Sequence, residues 1–238
     1  TSSNITTSAD NARYVYAADI DNDGDMDVLS ASYSDDKIAW YESDGAADPS
    51  FTARTITTSA TSARSVYAVD IDSDGDMDVL SASAGNDKIA WYESDGASDP
   101  SFTANTITTS AVGAFSVYAA DIDSDGDMDV LSASISDDKI AWYENDGSSE
   151  PSFTARTITT SADRPYSVYA ADIDNDGDMD VLSASHTDDK IAWYENDGAS
   201  DPSFTARTIT TSADGAYSVY PADIDNDGDM DVLSASHT

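Results

Sequence analysis

Asp19, Asp70, Asp121, Asp172 and Asp223 stand 51 residues apart, and around each the chain reads DIDNDGDMDVLSAS or DIDSDGDMDVLSAS. No insertion breaks the period. A chain built this way buries its apolar surface by stacking copies of one unit, so the repeat decides the architecture more than the length of 238 residues does. The uniformity is that of a recently amplified unit or of a designed or consensus sequence. Variation gathers in two stretches of each repeat. One precedes the VY pair (DNAR, TSAR, VGAF, DRPY, DGAY) and the other follows LSAS (YSD, AGN, ISD, HTD). Both read as exposed loops.

Within one repeat, period-2 alternation and enrichment in Val, Ile, Tyr, Trp and Thr between turn residues predict four short strands. In the first complete set these are Tyr14 to Ile20, Met26 to Ser32, Lys37 to Glu42 and Arg54 to Ser59. An Asp-Gly loop joins the first two, Ser34-Asp35-Asp36 the next pair, and a longer connection from Ser43 to Pro49 reaches the fourth. Four antiparallel strands in a unit of this length, repeated at least four times, predict an all-β fold, a β-propeller of five four-stranded blades. A linear β-solenoid is the alternative, but its repeats are usually shorter and its strands parallel. Tyr16, Trp40, Tyr41 and their equivalents are expected to pack between neighbouring blades.

The loop from Asp19 to Asp27 places carboxylates at its first, third, fifth, seventh and ninth positions and Gly24 at the sixth. Hard Ca²⁺ takes six to eight oxygen ligands. Alternating Asp residues on a tightly turned backbone can aim several carboxylates at one point, and Gly permits the turn. Zinc and copper are disfavoured, because the chain has no cysteine and only His186 and His237 offer nitrogen. A solvated acidic turn, as on a halophilic surface, does not account for five identical spacings with Gly fixed at position six.

With these loops and strands the chain resembles the FG-GAP/VCBS repeat family, which includes the calcium-bearing blades of integrin α-subunit propellers and related bacterial and lectin propellers. The resemblance covers essentially the whole chain. It implies that the D-x-D-x-D-G-x-x-D loop joins the innermost strand of a blade to the second. Its side-chain ligands would stand at positions one, three, five and nine, with a backbone carbonyl at position seven. Carried onto this sequence, the first site would use Asp19, Asp21, Asp23 and Asp27, with the backbone of Asp25. The second would use Asp70, Asp72, Asp74 and Asp78 with Asp76, and the third Asp121, Asp123, Asp125 and Asp129 with Asp127. The fourth would use Asp172, Asp174, Asp176 and Asp180 with Asp178, and the fifth Asp223, Asp225, Asp227 and Asp231 with Asp229. One Ca²⁺ per repeat, five in total, is therefore expected. This chain departs from many family members in keeping every loop complete and in placing Asp at position seven, where the extra charge raises affinity without adding a direct ligand.

The formal net charge is −37, and twenty-five of the 47 acidic residues lie in these loops. Nucleic acid and anionic membrane surfaces would be repelled, so neither is an expected partner. Five Ca²⁺ ions would reduce the formal charge to −27. Without metal, each loop crowds five carboxylates that repel one another, so binding and folding are expected to be linked and a calcium-rich, extracellular setting is implied. Absence of cysteine permits an oxidising compartment without demanding one. No apolar run approaches the roughly 18 residues of a membrane span, and the N-terminus lacks the charged and apolar regions of a signal peptide, so any such segment has been removed or was never included. Asn4-Ile5-Thr6 fits an N-glycosylation acceptor, conditional on a eukaryotic secretory source.

Counting strands exposes an irregularity. KIAWYE occurs four times, at Lys37, Lys88, Lys139 and Lys190, whereas the first, second and fourth strands occur five times. The chain forms one predicted domain over 1–238, with Ile5 to Ser8 phased as the outermost strand of the last blade and one strand of that blade lacking. Truncation, an inward shift of the N-terminal strand, or strand addition from a neighbouring molecule, which propagates as a filament, would each account for this. A catalytic reading finds no nucleophile–base arrangement, and Glu42, Glu93, Glu144 and Glu195 read as solvated strand ends. The expectation is a non-catalytic structural or adhesive module at the cell surface, with proteins, glycans or further copies of itself as partners. A carbohydrate-binding propeller with sites between blades is the alternative, in which Trp40, Trp91, Trp142 and Trp193 could stack on sugars.

Overall fold

The computed structural model describes residues 4–237, and all regular elements in them are β-strands. No helix is long and apolar enough to cross a membrane. The chain divides between Ala114 and Phe115 into two compact units. In the first unit β1 (Ala12–Ala18), β2 (Asp27–Ser32), β3 (Lys37–Ser43) and β4 (Phe51–Thr57) form one sheet in chain order. A second sheet there holds β5 (Ala63–Val69), β6 (Asp78–Ser83), β7 (Lys88–Ser94) and β8 (Phe102–Thr108). The second unit begins one residue into β9 (Ala114–Ala120), whose sheet continues with β10 (Asp129–Ser134), β11 (Lys139–Asn145) and β12 (Phe153–Thr159). Next come β13 (Pro165–Ala171), β14 (Asp180–Ser185), β15 (Lys190–Asn196) and β16 (Phe204–Thr210), and then a two-stranded sheet of β17 (Ala216–Ala222) and β18 (Asp231–Ser236).

Register is the same in every four-stranded sheet. Leu29 faces Trp40, Leu80 faces Trp91, Leu131 faces Trp142 and Leu182 faces Trp193 across the second and third strands. The first strand ends two residues before the expected Ile20, because the Ile20 N–H donates to the Asp27 carboxylate instead of a ladder. The fourth begins at Phe51, three residues before the expected Arg54, and ends where the Ser59 N–H donates to Thr57 Oγ1 at 3.1 Å. Ile5 to Ser8, expected as an outermost strand, lies in no ladder; the same local turn forms there, with the Ser8 N–H donating to Thr6 Oγ1 at 3.1 Å.

Within each unit the core lies between successive sheets. Leu29, Ala31, Ile38 and Trp40 present one face of the first sheet, and Val66, Ala68, Val79, Ala90 and Tyr92 of the second pack against it. In the second unit Leu131, Ala133, Ile140 and Trp142 meet Val168, Ala170, Val181, Ala192 and Tyr194 in the same way. The second strand is buried on both faces, and its alternating Ser and Ala residues are small enough for sheets to approach closely there. Ser132 Oγ pairs there with the Tyr143 hydroxyl at 3.2 Å, whereas the buried hydroxyls that end these second strands, on Ser32, Ser83, Ser134 and Ser185, have no hydrogen-bond partner among the described residues.

In the first, second, fourth and fifth repeats the two variable stretches, some twenty residues apart in sequence, meet at the end of the first hairpin opposite the Asp loop. Tyr33 N–H donates to the Asn11 carbonyl, Gly85 N–H to Thr61, His186 N–H to Arg164 and His237 N–H to Gly215. Arg13 and Arg64 there stand over the Tyr33 ring, with guanidinium carbons 5.3 and 4.3 Å from its centroid.

Trp142 is 2% exposed, and truncating a buried Trp costs about 3–5 kcal/mol in lost transfer energy and cavity formation. Trp142→Ala is expected to lower the urea midpoint accordingly, whereas Trp193→Ala, at a half-buried position, is expected to lower it less. Equilibrium unfolding followed by circular dichroism makes the comparison.

Candidate metal centre

Each Asp loop links the first strand of a sheet to the second, and its geometry follows from side chains that bond their own backbone. Asp19 accepts the N–H groups of Asp23 at 3.1 Å and Gly24 at 2.9 Å, and Asp23 accepts that of Asp25 at 2.9 Å. These bonds curl the chain through Asn22 and Gly24, both at positive φ, and Gly24 at +96° holds a conformation that L side chains rarely adopt. The same bonds recur in the other loops, as in Gly75 to Asp70, Gly126 to Asp121, Gly177 to Asp172 and Gly228 to Asp223.

Position nine anchors the loop. Asp27 is 1% exposed. One of its oxygens accepts the Ile20 N–H at 3.1 Å from within the loop, and the other accepts the Ser43 N–H at 2.7 Å from the end of β3. Asp78, Asp129 and Asp180 do the same with Ile71 and Ser94, Ile122 and Asn145, and Ile173 and Asn196. Ser43, Asn145 and Asn196 were not singled out from the sequence. They recur in phase after KIAWYE, and Asn196 further donates to the carbonyls of Ile122 at 2.9 Å and Met179 at 3.0 Å.

The carboxylates brought together are those of positions one, three and nine. Asp19, Asp21 and Asp27 offer oxygens within 4.8 Å of one another, and so do Asp70, Asp72 and Asp78; Asp121, Asp123 and Asp129; Asp172, Asp174 and Asp180; and Asp223, Asp225 and Asp231. The fifth group is exposed throughout. Position five, Asp23 and its equivalents Asp74, Asp125, Asp176 and Asp227, lies outside these groups and spends an oxygen on the N–H two residues on. At position seven the Asp25 carboxylate lies against Gly45. A Cβ on that glycine, at φ +63°, would stand 1.9 Å from Asp25 Oδ2, and Gly96, Gly147 and Gly198 stand in the same relation to Asp76, Asp127 and Asp178.

The donor set fits a hard cation. It is all oxygen, three carboxylates converge in each loop, and Asp21 Oδ1 and Asp123 Oδ1 are buried with no hydrogen-bond partner. Unpartnered buried carboxylate oxygens are costly unless a cation meets them. Burial pushes the carboxyls of Asp78 and Asp129 up to about 7 and that of Asp180 to about 6; backbone N–H bonds oppose the shift, and the neighbouring aspartates add to it. Asp21, Asp72 and Asp123 are raised too, first by burial and then by the position-five carboxylates.

An FG-GAP-like repeat model matches residues 19–81, 70–132, 124–183 and 174–234, a nearly continuous run. The chain belongs to the FG-GAP-like repeat family. No curated protein sequence matches it significantly. Among solved structures, this FG-GAP-like chain is similar in fold to an Agrocybe aegerita lectin described as recognising non-reducing terminal N-acetylglucosamine, with a TM-score of 0.62 at 14% identity over 94% of this chain and 61% of the lectin. It is similar as well to a functionally unknown protein from Desulfotomaculum acetoxidans, with a TM-score of 0.63 at 12% identity over 96% of this chain and 64% of the other. The V. cholerae biofilm matrix protein Bap1 matches with a TM-score of 0.54 at 17% identity, over 98% of this chain and 37% of Bap1. The chain thus spans less than two thirds of the length of each of these three, and at such identities the likeness is one of fold.

The raised carboxyls give a signed pH prediction for the metal-free protein. A carboxyl whose folded value exceeds its unfolded value of 3.8 favours the folded state while protonated, and that contribution is lost as pH rises through the folded value. Melting temperature of chelator-treated protein is therefore expected to fall as pH rises from about 4, where the unfolded carboxyls ionise, to about 7, and to level off above the folded values; scanning calorimetry across that range reads it. A flat or rising profile would contradict the burial of these carboxyls.

Proposed function

We propose that the chain is a calcium-binding β-propeller that serves, without catalysis, as an extracellular structural or adhesive scaffold. The observation that carries the calcium reading is the convergence of three carboxylates in each of five in-phase loops, with buried oxygens left for a cation in two of them. The propeller reading is supported by the way sheets stack within each unit. First strands of successive sheets lie side by side, with Tyr16 and Tyr67 ring centroids 4.7 Å apart, Tyr118 and Tyr169 4.0 Å apart, and Tyr169 and Tyr220 5.1 Å apart. Fourth strands are more exposed, as the outer strands of blades are.

Bound Ca²⁺ would supply the charge that relaxes repulsion among the loop carboxylates, and a calcium-rich exterior suits sites of this kind. Membership of the FG-GAP-like repeat family and a fold shared with a biofilm matrix protein support a scaffold working among other surface molecules, proteins or glycans.

Glycan binding is the second reading. It is favoured by the shared fold with a lectin and by a cleft of about 440 Å³ lined by Trp40, Arg54, Asp99 and Phe102. Trp40, Trp91 and Trp142 are at most 4% exposed, however, so they do not offer open faces to a sugar. Arg54 is already engaged by Glu42 and Asp99, both at 2.6 Å. The scaffold reading therefore leads.

Calcium titration of chelator-treated protein, with stoichiometry from calorimetry and stability from thermal unfolding, tests the proposal. Five ions per chain are expected, together with a rise in melting temperature. Each site contributes about 2.7 kcal/mol when calcium stands at a hundred times its dissociation constant. Paired replacement Asp121→Asn and Asp129→Asn is expected to remove one ion of the five. Absence of binding and of any stability gain would return the loops to an acidic surface.

A further inference from the structure

Position four of the Asp loop is Asn in the first, fourth and fifth repeats and Ser in the second and third. In all five it sits at positive φ, between +59° and +61°, a conformation that Asn tolerates better than most residues. This geometry turns its side chain away from its own loop. Asn22 Nδ2 donates to the Gly75 carbonyl and to Asp76 Oδ1 of the next loop, each at 3.4 Å. Asn175 Nδ2 donates to Asp229 Oδ1 of its next loop at 2.6 Å. Between the third and fourth loops the shorter Ser124 makes no such bond to Asp178 among the described residues.

The receiving residue is position seven, which the family resemblance makes a backbone ligand and whose side chain is held on its other side by glycine. Asp76 lies against Gly96 as Asp25 lies against Gly45. Asn22 therefore fixes the orientation of a residue in the second loop from a position inside the first.

We infer that Asn22 couples ion binding at the first and second loops, and Asn175 at the fourth and fifth. The inference rests on the calcium reading of the loops. An ion in the first loop orders residues 19–27, including the strained backbone at Asn22. Ordered Asn22 holds Asp76, so the second loop loses less conformational freedom when its own ion arrives. Linkage makes the effect reciprocal. The link from the third loop to the fourth lacks the amide and is not coupled in this way.

The test is calcium titration by calorimetry of the full chain, after chelator treatment, as wild type, as the double variant Asn22→Ser with Asn175→Ser, and as Ser124→Asn. Ser is the chain's own residue at this position in two repeats, so the double variant is expected to fold and to bind five ions. Wild type is expected to show positive cooperativity, with the second ion of each pair binding about tenfold more tightly than in the double variant, within the usual range of coupling between sites. Ser124→Asn is expected to add cooperativity. Five ions bound with the same isotherm in wild type and double variant would overturn the coupling while leaving the calcium sites standing. No binding by wild type would overturn both.

Discussion

Two backbone N–H groups that no strand ladder serves converge on one buried carboxylate in each four-stranded sheet. Asp27 accepts Ile20 from the loop before it and Ser43 from the end of the third strand, and it is itself the first residue of β2. Removing this acceptor would strand both donors in the interior. Through this residue the Asp loop, the central strand and the third strand become one rigid piece. The interior packing is laid over it, since Leu29 and Trp40 pair within the strands that the carboxylate joins.

That rigidity has an electrostatic cost, because the carboxylate that organises the sheet also points at two others. Burial and neighbouring charge both oppose its ionisation, while its N–H bonds favour it. The site is thereby arranged so that the groups structurally committed to the fold are the ones that a divalent cation would relieve. Positions five and seven do other work. One shapes the turn, and the other bears on a glycine some twenty residues downstream.

Much of this was legible from the residues alone. The 51-residue period fixed the number of units, alternation found four strands in each, and the Asp spacing marked the loops. Strand ends were misplaced where a side chain takes a backbone donor. Ile20 looks like a strand residue by its apolar side chain, yet its N–H belongs to Asp27, and Thr57 stops a run of β-branched residues by accepting from Ser59. The roles of Ser43 and Gly45 stayed hidden because their partners, Asp27 and Asp25, lie sixteen and twenty residues earlier in the chain. No local pattern encodes such a contact, although recurrence in phase with the loops was a signal that could have been used. The tryptophans read as interior residues, and Trp40, Trp91 and Trp142 are buried.

Identical register in every four-stranded sheet has a consequence for how the chain reaches this state. Any second strand is chemically as good a mate for a third strand from another repeat as for its own, so complementarity does not discriminate between them. Proximity does. Joining Ser32 to Lys37 closes a loop of four residues, whereas joining it to Lys88 closes one of fifty-five, a difference of about 2 kcal/mol in closure entropy. That margin is small for a choice repeated at each sheet, so the fidelity of the array depends on hairpins closing before distant copies meet, and exchange of strands between repeats or between molecules is its inherent mode of error.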